Sequence, residues 1–169
     1  MSGRRRLYVD SNVLVGAFAG ESKASRSVIE AAAAGEFTLI ESDSLLFEVL
    51  RVFGKLFGKD EAGRAHRFLL DVPFHVVLHD AEWSSGLDIV RPFIRDHADE
   101  PHLAAAFVGR ADAFVTHNRR SVREGIFEYV PLVSPELLEG HFSQRQGWPT
   151  PEAMKADWLR WARRSPRGP

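Results

Sequence analysis

Hydrophobic residues along the chain fall into two alternating patterns. Short runs rich in Val, Ile and Leu are typical of buried strands, and longer stretches with apolar residues every three or four positions are typical of amphipathic helices. The clearest strand pattern is Leu7 to Val9, and the strongest helical repeat runs from Leu45 to Phe57. The predicted strands comprise residues 7–9, 37–40, 75–78, 113–116 and, as a short edge strand, 129–132.

Predicted helices occupy most of the intervals between these strands. Ser11 or Asn12 can cap the first helix, and Gly20 and Gly35 mark the ends of the first two. The helical segments comprise residues 12–19, 22–34, 43–57, 61–70, 81–93 and 101–108, with a further helix starting at Ser134. This alternation predicts a three-layer α/β/α sandwich around a mainly parallel sheet of four to five strands.

The composition changes after Phe142. A polar stretch with Gly and Pro covers residues 143–149, and residues 151–164 form a separate amphipathic helix that Thr150 can cap. We therefore predict a core domain of residues 1–142 and a C-terminal extension of residues 143–169, whose last five residues are frayed. The apolar face of the extension helix either packs on its own domain or serves a dimer or another partner; it carries Met154, Trp158, Trp161 and Ala162.

Composition restricts the chemistry. The 169 residues include no cysteine, so a metal would take oxygen or imidazole ligands, which favours a hard cation. Lys and Arg number 22 against 23 Asp and Glu, which argues against an overall basic surface but allows local basic patches. No apolar run approaches the roughly 18 to 20 residues that span a bilayer, and Arg4 to Arg6 lead straight into a strand without a signal-peptide core. We expect a cytoplasmic globular protein.

Several acidic residues occupy positions where the ends of parallel strands meet. Asp10 directly follows the first strand, where a buried charge is costly without a partner. Glu48 interrupts the apolar stripe of its helix. The next acids, Asp96, Asp99 and Glu100, precede Pro101, where the helix dipole alone would favour acidic residues. Thr116 and Asn118 form a polar pair at the end of the fourth strand.

In this order, these segments resemble the PIN-domain nucleases, and most closely the VapC-like PIN toxins of bacterial toxin–antitoxin systems. The resemblance covers roughly residues 7–142. Each short motif is weak alone, whereas the ordered set is specific. The matching segments are Tyr8-Val9-Asp10-Ser11-Asn12, Glu48 in its helix, Asp99-Glu100 before Leu103-Ala104-Ala105-Ala106, and Phe114-Val115-Thr116-His117-Asn118.

The resemblance implies an endoribonuclease in which three or four acidic side chains bind one or two Mg²⁺ or Mn²⁺ ions. Asp10 matches the first acid and Glu48 the second. Counting back from Thr116 and Asn118 without gaps places the third family acid at Glu100. Asp99 lies beside it, and the family usually has an Asp at this position, so both residues are candidates. Asp96 is a further, more distant candidate. Asn118 stands where the family often has a fourth acid, which removes one charge. Ser11, Asn12 and Thr116 resemble the polar residues that support the ligands.

The resemblance also implies an RNA substrate and a cognate antitoxin protein. The apolar face of the extension helix makes a homodimer a further candidate assembly. A local basic stretch is suited to phosphate contacts or is simply a solvated loop; it comprises Arg119, Arg120 and Arg123. Three histidines near the same edge could contact phosphate or assist proton transfer, or be ordinary surface residues; they are His97, His102 and His117.

Two alternatives come from other functional classes. A PIN-like scaffold that binds RNA or a protein without catalysis is suggested by Asn118 in place of an acid. A phospho-accepting receiver domain would share the layout, but no Lys follows the fourth or fifth strand to engage a phosphoryl group.

Overall fold

A computed structural model describes residues 3–164. Its centre is a five-stranded, all-parallel sheet in the order β3-β2-β1-β4-β5. The strands are β1 (Arg6–Val9), β2 (Thr38–Ser42), β3 (His75–Leu78), β4 (Ala113–Val115) and β5 (Leu132–Val133). With helices packed around the sheet, the predicted three-layer α/β/α sandwich is confirmed.

The helices follow the predicted alternation. They are α1 (Ser11–Phe18), α2 (Lys23–Ala33), α3 (Asp43–Phe57), α4 (Lys59–Asp71), α5 (Asp80–Trp83), α6 (Leu87–Val90), α7 (Glu100–Val108), α8 (Pro135–Gln144) and α9 (Pro151–Arg164). No helix among residues 3–164 is both long and apolar enough to cross a membrane.

The central strand β1 places the chain's first acid at the middle of one sheet edge. Tyr8 pairs with Ile40 of β2 on one side and with Phe114 of β4 on the other, and the rings of Tyr8 and Phe114 stack with their centroids 5.1 Å apart. Because all strands are parallel, the residues that follow β1, β2 and β4 reach the same edge.

Helix α7 lies close to the sheet because its buried residues are small. Ala104, Ala105 and Ala106 are fully buried. At Gly109, just after the helix, an added Cβ would lie 2.6 Å from Cγ2 of Ile40 and 2.9 Å from the Ala105 carbonyl oxygen. Only glycine fits this close approach without displacing the helix.

Two predicted elements were wrong in detail. Residues 81–93 do not form one helix but α5 and α6 separated and followed by 3₁₀ turns. Gly86 lies against α7, where an added Cβ would be 2.9 Å from Cγ2 of Val108, and Pro92 cannot donate a helical hydrogen bond. The edge strand begins at Leu132 rather than Tyr129, because Pro131 has no N–H for the ladder.

The C-terminal helix α9 packs on its own chain, beside β5 and the 3₁₀ segment of residues 124–128. Met154, Trp158 and Ala162 are buried there, and Thr150 caps the helix by accepting the Ala153 N–H at 3.1 Å. The division of the chain at residue 142 stays a prediction, and the predicted fraying of residues 165–169 lies outside the described residues.

Candidate functional site

Asp10 lies at the carboxyl end of β1 and caps α1. Its Oδ1 accepts the Ser11 N–H at 2.8 Å, and its Oδ2 accepts the Thr116 hydroxyl at 2.8 Å. The predicted cap, Ser11 or Asn12, is therefore wrong by one or two residues. Burial raises the pKa of Asp10 to about 6, and the charge of Glu48 adds to this, whereas the bonds from Thr116 and Ser11 oppose it.

Asn12 and Thr116 tie the loop after β4 to the start of α1. Asn12 Nδ2 donates to Asp10 Oδ2 at 3.2 Å and to Thr116 Oγ1 at 3.1 Å, and its Oδ1 accepts the His117 N–H at 3.2 Å. Of the residues predicted to support the site, Asn12 and Thr116 thus contact the Asp10 carboxylate through side chains, and Ser11 contacts it through its backbone.

Glu48 meets a buried network that sequence reasoning did not anticipate. Its Oε2 lies 3.4 Å from His102 Nε2, and His102 Nδ1 lies 2.7 Å from the Tyr8 hydroxyl, which also bonds Ser42 Oγ at 2.8 Å. His102 is only 4% exposed, so it is a core residue rather than a contact for a phosphate. Burial lowers the pKa of His102, and the charges of Glu48 and Asp99 oppose that shift.

The two neighbouring acids before α7 have different partners. The pKa of Asp99 is raised by burial and by the nearby charge of Asp10, and the side chain of Ser121 opposes this shift. Glu100 pairs with His97 and with Arg91, and these contacts lower its pKa. Asp99 is therefore within range of the Asp10 charge, whereas Glu100 is engaged by Arg91 and His97.

Asp96 and Asn118 are not drawn into this group of acids. Asp96 is exposed and caps a 3₁₀ turn by accepting the Ala98 N–H at 3.0 Å. Asn118 is exposed, and its Oδ1 accepts the Arg120 N–H at 3.3 Å in a local turn. The acids that influence one another through their charges are therefore Asp10, Glu48 and Asp99.

The three arginines after Asn118 differ in their surroundings. Arg119 Nη1 bonds Asp157 of α9 at 2.6 Å, and the Trp158 indole N–H donates to the Arg119 carbonyl at 3.0 Å. Arg120 and Arg123 are exposed. Arg119 thus anchors α9, which leaves the other two at the surface.

The chemistry of the carboxylates fits a hard divalent cation. The charge of Glu48 raises the pKa of Asp10, the charge of Asp10 raises the pKa of Asp99, and the buried Oε2 of Glu48 has no hydrogen-bond partner. Among the residues described, however, no three acidic or histidine side chains converge closely enough to surround one ion. Like charges without a cation repel one another, so these carboxylates must move together to hold a metal.

A groove of about 560 Å³ opens beside the acids rather than over them. Ser11 and Asn12 form its wall nearest Asp10, and His117 projects from another wall, where its Nε2 lies 2.7 Å from Ser25 Oγ. The groove therefore borders the start of α1, directly after Asp10.

Tyr8→Phe should lower the free energy of unfolding by about 1 to 2 kcal/mol, because His102 and Ser42 would lose a buried partner. Urea denaturation measures this. The matched control is Tyr129→Phe, since Tyr129 is 40% exposed, and its effect should stay below about 0.5 kcal/mol. Equal effects at both positions would mean that the buried hydroxyl contributes nothing.

Residues 6–120 match the family model of the PIN domain, so the chain belongs to the PIN domain family. This confirms the family on which the sequence resemblance rests. Helix α9 lies outside the matched residues. A search of curated proteins found no significant match.

Three solved structures share the fold, at sequence identities too low to indicate more than fold. VapBC2 from Rickettsia felis, bound to a promoter DNA fragment, is 17% identical over 76% of this chain and 98% of the other, with a TM-score of 0.56. A toxin–antitoxin complex from Klebsiella pneumoniae is 18% identical over 76% and 97%, with a TM-score of 0.54. VapBC-1 from nontypeable Haemophilus influenzae is 13% identical over 78% and 98%, with a TM-score of 0.52.

Proposed function

We propose that the protein is a cytoplasmic, metal-dependent endoribonuclease and the toxin of a bacterial toxin–antitoxin pair. The observation that carries this proposal is the group formed by Asp10, Glu48 and Asp99 at the carboxyl edge of a PIN-domain sheet. Asp10 and Asp99 are carboxyl groups whose pKa values are raised by burial and by the charge of a neighbouring acid, and such an arrangement suits a cation.

Asp10, Glu48 and Asp99 would hold Mg²⁺ or Mn²⁺. When bound, the cation supplies charge stabilisation at the scissile phosphate and makes a water more acidic. Thr116 and Asn12 keep the Asp10 carboxylate oriented, and His102 lies against Glu48. Without a cation, the three carboxylates would repel an RNA backbone. Asn118 adds no charge, which favours one tightly held ion over two.

A protein antitoxin is the partner we infer. The three solved structures of similar fold are VapBC or toxin–antitoxin complexes. Helix α3 also presents apolar side chains to solvent, with Phe47 70% and Leu50 40% exposed. Such exposed residues are typical of a surface that a partner covers, and a homodimer is the competing occupant. Native mass measured with and without the co-expressed neighbouring gene product distinguishes the two.

The direct test of the proposal is RNA cleavage by the purified chain with Mg²⁺ or Mn²⁺ and with a chelator. Cleavage should require the metal, cease with the chelator and return when excess metal is added. Cleavage that persists in the chelator would contradict metal dependence. A chain that neither cleaves RNA nor binds either metal in a calorimetric titration would instead favour the non-catalytic scaffold, the alternative that Asn118 and the dispersed carboxylates support.

Asp99→Asn and Glu100→Gln form a matched pair for the third ligand. Because Asp99 is within range of the Asp10 charge while Glu100 pairs with Arg91 and His97, Asp99→Asn should lower cleavage by at least about 10- to 100-fold. Glu100→Gln loses the contacts with the exposed side chains of Arg91 and His97 and should change cleavage less than about threefold. Initial rates at saturating metal measure both. The opposite ranking would assign the third ligand to Glu100.

A further inference from the structure

Three segments that are distant in sequence form one basic surface, here called the arginine surface. They are residues 91–95, 119–124 and 155–164, and together they contain nine Lys or Arg against two Asp or Glu. The whole chain has a formal net charge of −1, so the remainder is strongly acidic. Such segregation of charge is typical of proteins that bind a polyanion on one face.

Backbone pairing joins the first two segments. Ile94 and Val122 form an isolated antiparallel bridge, flanked by bonds from Arg95 N to the Ser121 carbonyl at 2.6 Å and from Arg123 N to the Phe93 carbonyl at 2.7 Å. This pairing holds the exposed side chains of Arg95 and Arg123 on adjacent strands of backbone.

Helix α9 supplies the third segment and is fixed by Arg119. The bond to Asp157 and the stacking of the Arg119 guanidinium 4.9 Å from the Trp161 ring join the helix to the loop. Arg95 and Arg163 then line the same groove of about 300 Å³. Within residues 3–164, no carboxylate forms an ion pair with either of these two arginines.

The arginine surface is continuous with the group of acids. Ser121, whose carbonyl accepts the Arg95 N–H, also has its side chain near Asp99, where it lowers the pKa of that carboxyl. Asn118, at the start of the same loop, bonds Thr116 Oγ1, which in turn bonds Asp10. One side of this loop therefore borders the carboxylates, and the other carries the arginines.

We propose that the arginine surface binds the sugar–phosphate backbone of RNA on one side of the bond that is cleaved. This inference rests on the proposed function. The acids need a cation to tolerate one phosphate, but the neighbouring phosphates of a chain also need positive partners, and guanidinium groups bind phosphate in a bidentate manner. Because α9 lies outside the PIN-matched residues, this chain carries its own addition to the substrate-binding surface.

Arg95→Gln/Arg163→Gln tests the proposal. Binding of fluorescein-labelled oligouridine is measured by anisotropy in chelator, so that nothing is cleaved. We expect the double variant to bind about tenfold more weakly at low salt, and its slope of log affinity against log salt to be shallower by about 1.4, the value for two lost phosphate contacts on a single strand. Arg64→Gln/Arg67→Gln on α4 is the matched control, and Arg95→Lys/Arg163→Lys should restore most of the salt slope.

The possible results distinguish a failure of the arginine surface from a failure of the proposed nuclease function. Unchanged affinity and slope in the Gln variant would overturn the arginine surface even if wild-type protein cleaves RNA. If the wild-type protein does not cleave RNA in Mg²⁺ or Mn²⁺ but the Gln variant binds oligouridine more weakly than the wild type, the proposed nuclease activity is contradicted. The arginine surface is then still supported. Polyglutamate of matched charge that competes as well as oligouridine would indicate a site for an acidic protein and overturn the proposal.

Discussion

Asp10→Asn should abolish metal-dependent RNA cleavage, with a loss greater than about 100-fold. Replacing residues that only support a metal ligand typically costs 10- to 100-fold, and Asp10 is the proposed ligand itself. The fold should remain, because the amide oxygen can still accept the Ser11 N–H that caps α1, and the change removes a buried charge. Cleavage of a labelled RNA in Mg²⁺ and in Mn²⁺ measures the loss.

The melting temperature with and without metal gives a second readout for this variant. Mg²⁺ or Mn²⁺ should stabilise the wild-type protein and leave Asp10→Asn nearly unchanged, because a ligand that binds only the folded state raises its stability. Asp112→Asn is the matched control, since Asp112 also accepts a backbone N–H, that of Arg6 at 2.7 Å, but precedes β4 at the opposite edge of the sheet. Full activity in Asp10→Asn would contradict the proposed site.

Glu41→Met should make the protein more stable at alkaline pH. Glu41 lies within β2, is fully buried, and neither carboxylate oxygen has a hydrogen-bond partner. Burial raises the pKa of Glu41 from 4.5 to about 8. Below about pH 4.5 the residue is neutral in both states, and between the two pKa values only the unfolded chain ionises, so Glu41 favours unfolding increasingly up to about pH 8.

Chemical denaturation at about pH 5 and about pH 8 measures this effect. The stability gained by Glu41→Met over wild type should be larger at the higher pH by on the order of 3 kcal/mol. Asp10 and Asp99 are present in both proteins, so their contributions to the pH dependence of stability cancel when the two proteins are compared at each pH. Glu36→Met, at an exposed position just before β2, should show no such pH dependence. A difference independent of pH would mean that Glu41 is ionised in the folded protein.

Glu41 also shows where the sequence pattern misleads. A charge after Phe37 to Ile40 suggests that the strand has ended, yet β2 continues through Glu41 to Ser42, because pairing with β3 outweighs the cost of burying a neutral carboxyl. The single helix predicted for residues 81–93 was wrong because the pattern suggested one continuous element where there are several. The apolar spacing suits one helix, but Gly86 and Pro92 interrupt it. The order of strands and helices was predictable from periodicity alone.

The candidate site was partly predictable. Asp10 and Glu48 stand out because each places a charge where an apolar residue is expected. Spacing could not separate Asp99 from Glu100, because the difference depends on which side chain meets Ser121 and which meets Arg91. His102 was considered only for the surface, since a single histidine in a helix carries no signal of the Tyr8 hydroxyl that it meets across the core.

The alanines of α7 should make the proposed nuclease activity sensitive to residues that carry no functional group. Asp99 stands at the N-terminal end of a helix whose distance from the sheet is set by the short side chains of Ala104, Ala105 and Ala106. A larger side chain there would push the helix outward and carry Asp99 away from Asp10. A genetic selection for harmless variants should therefore return substitutions at these alanines as well as at the acids, in proteins that still accumulate in the cell.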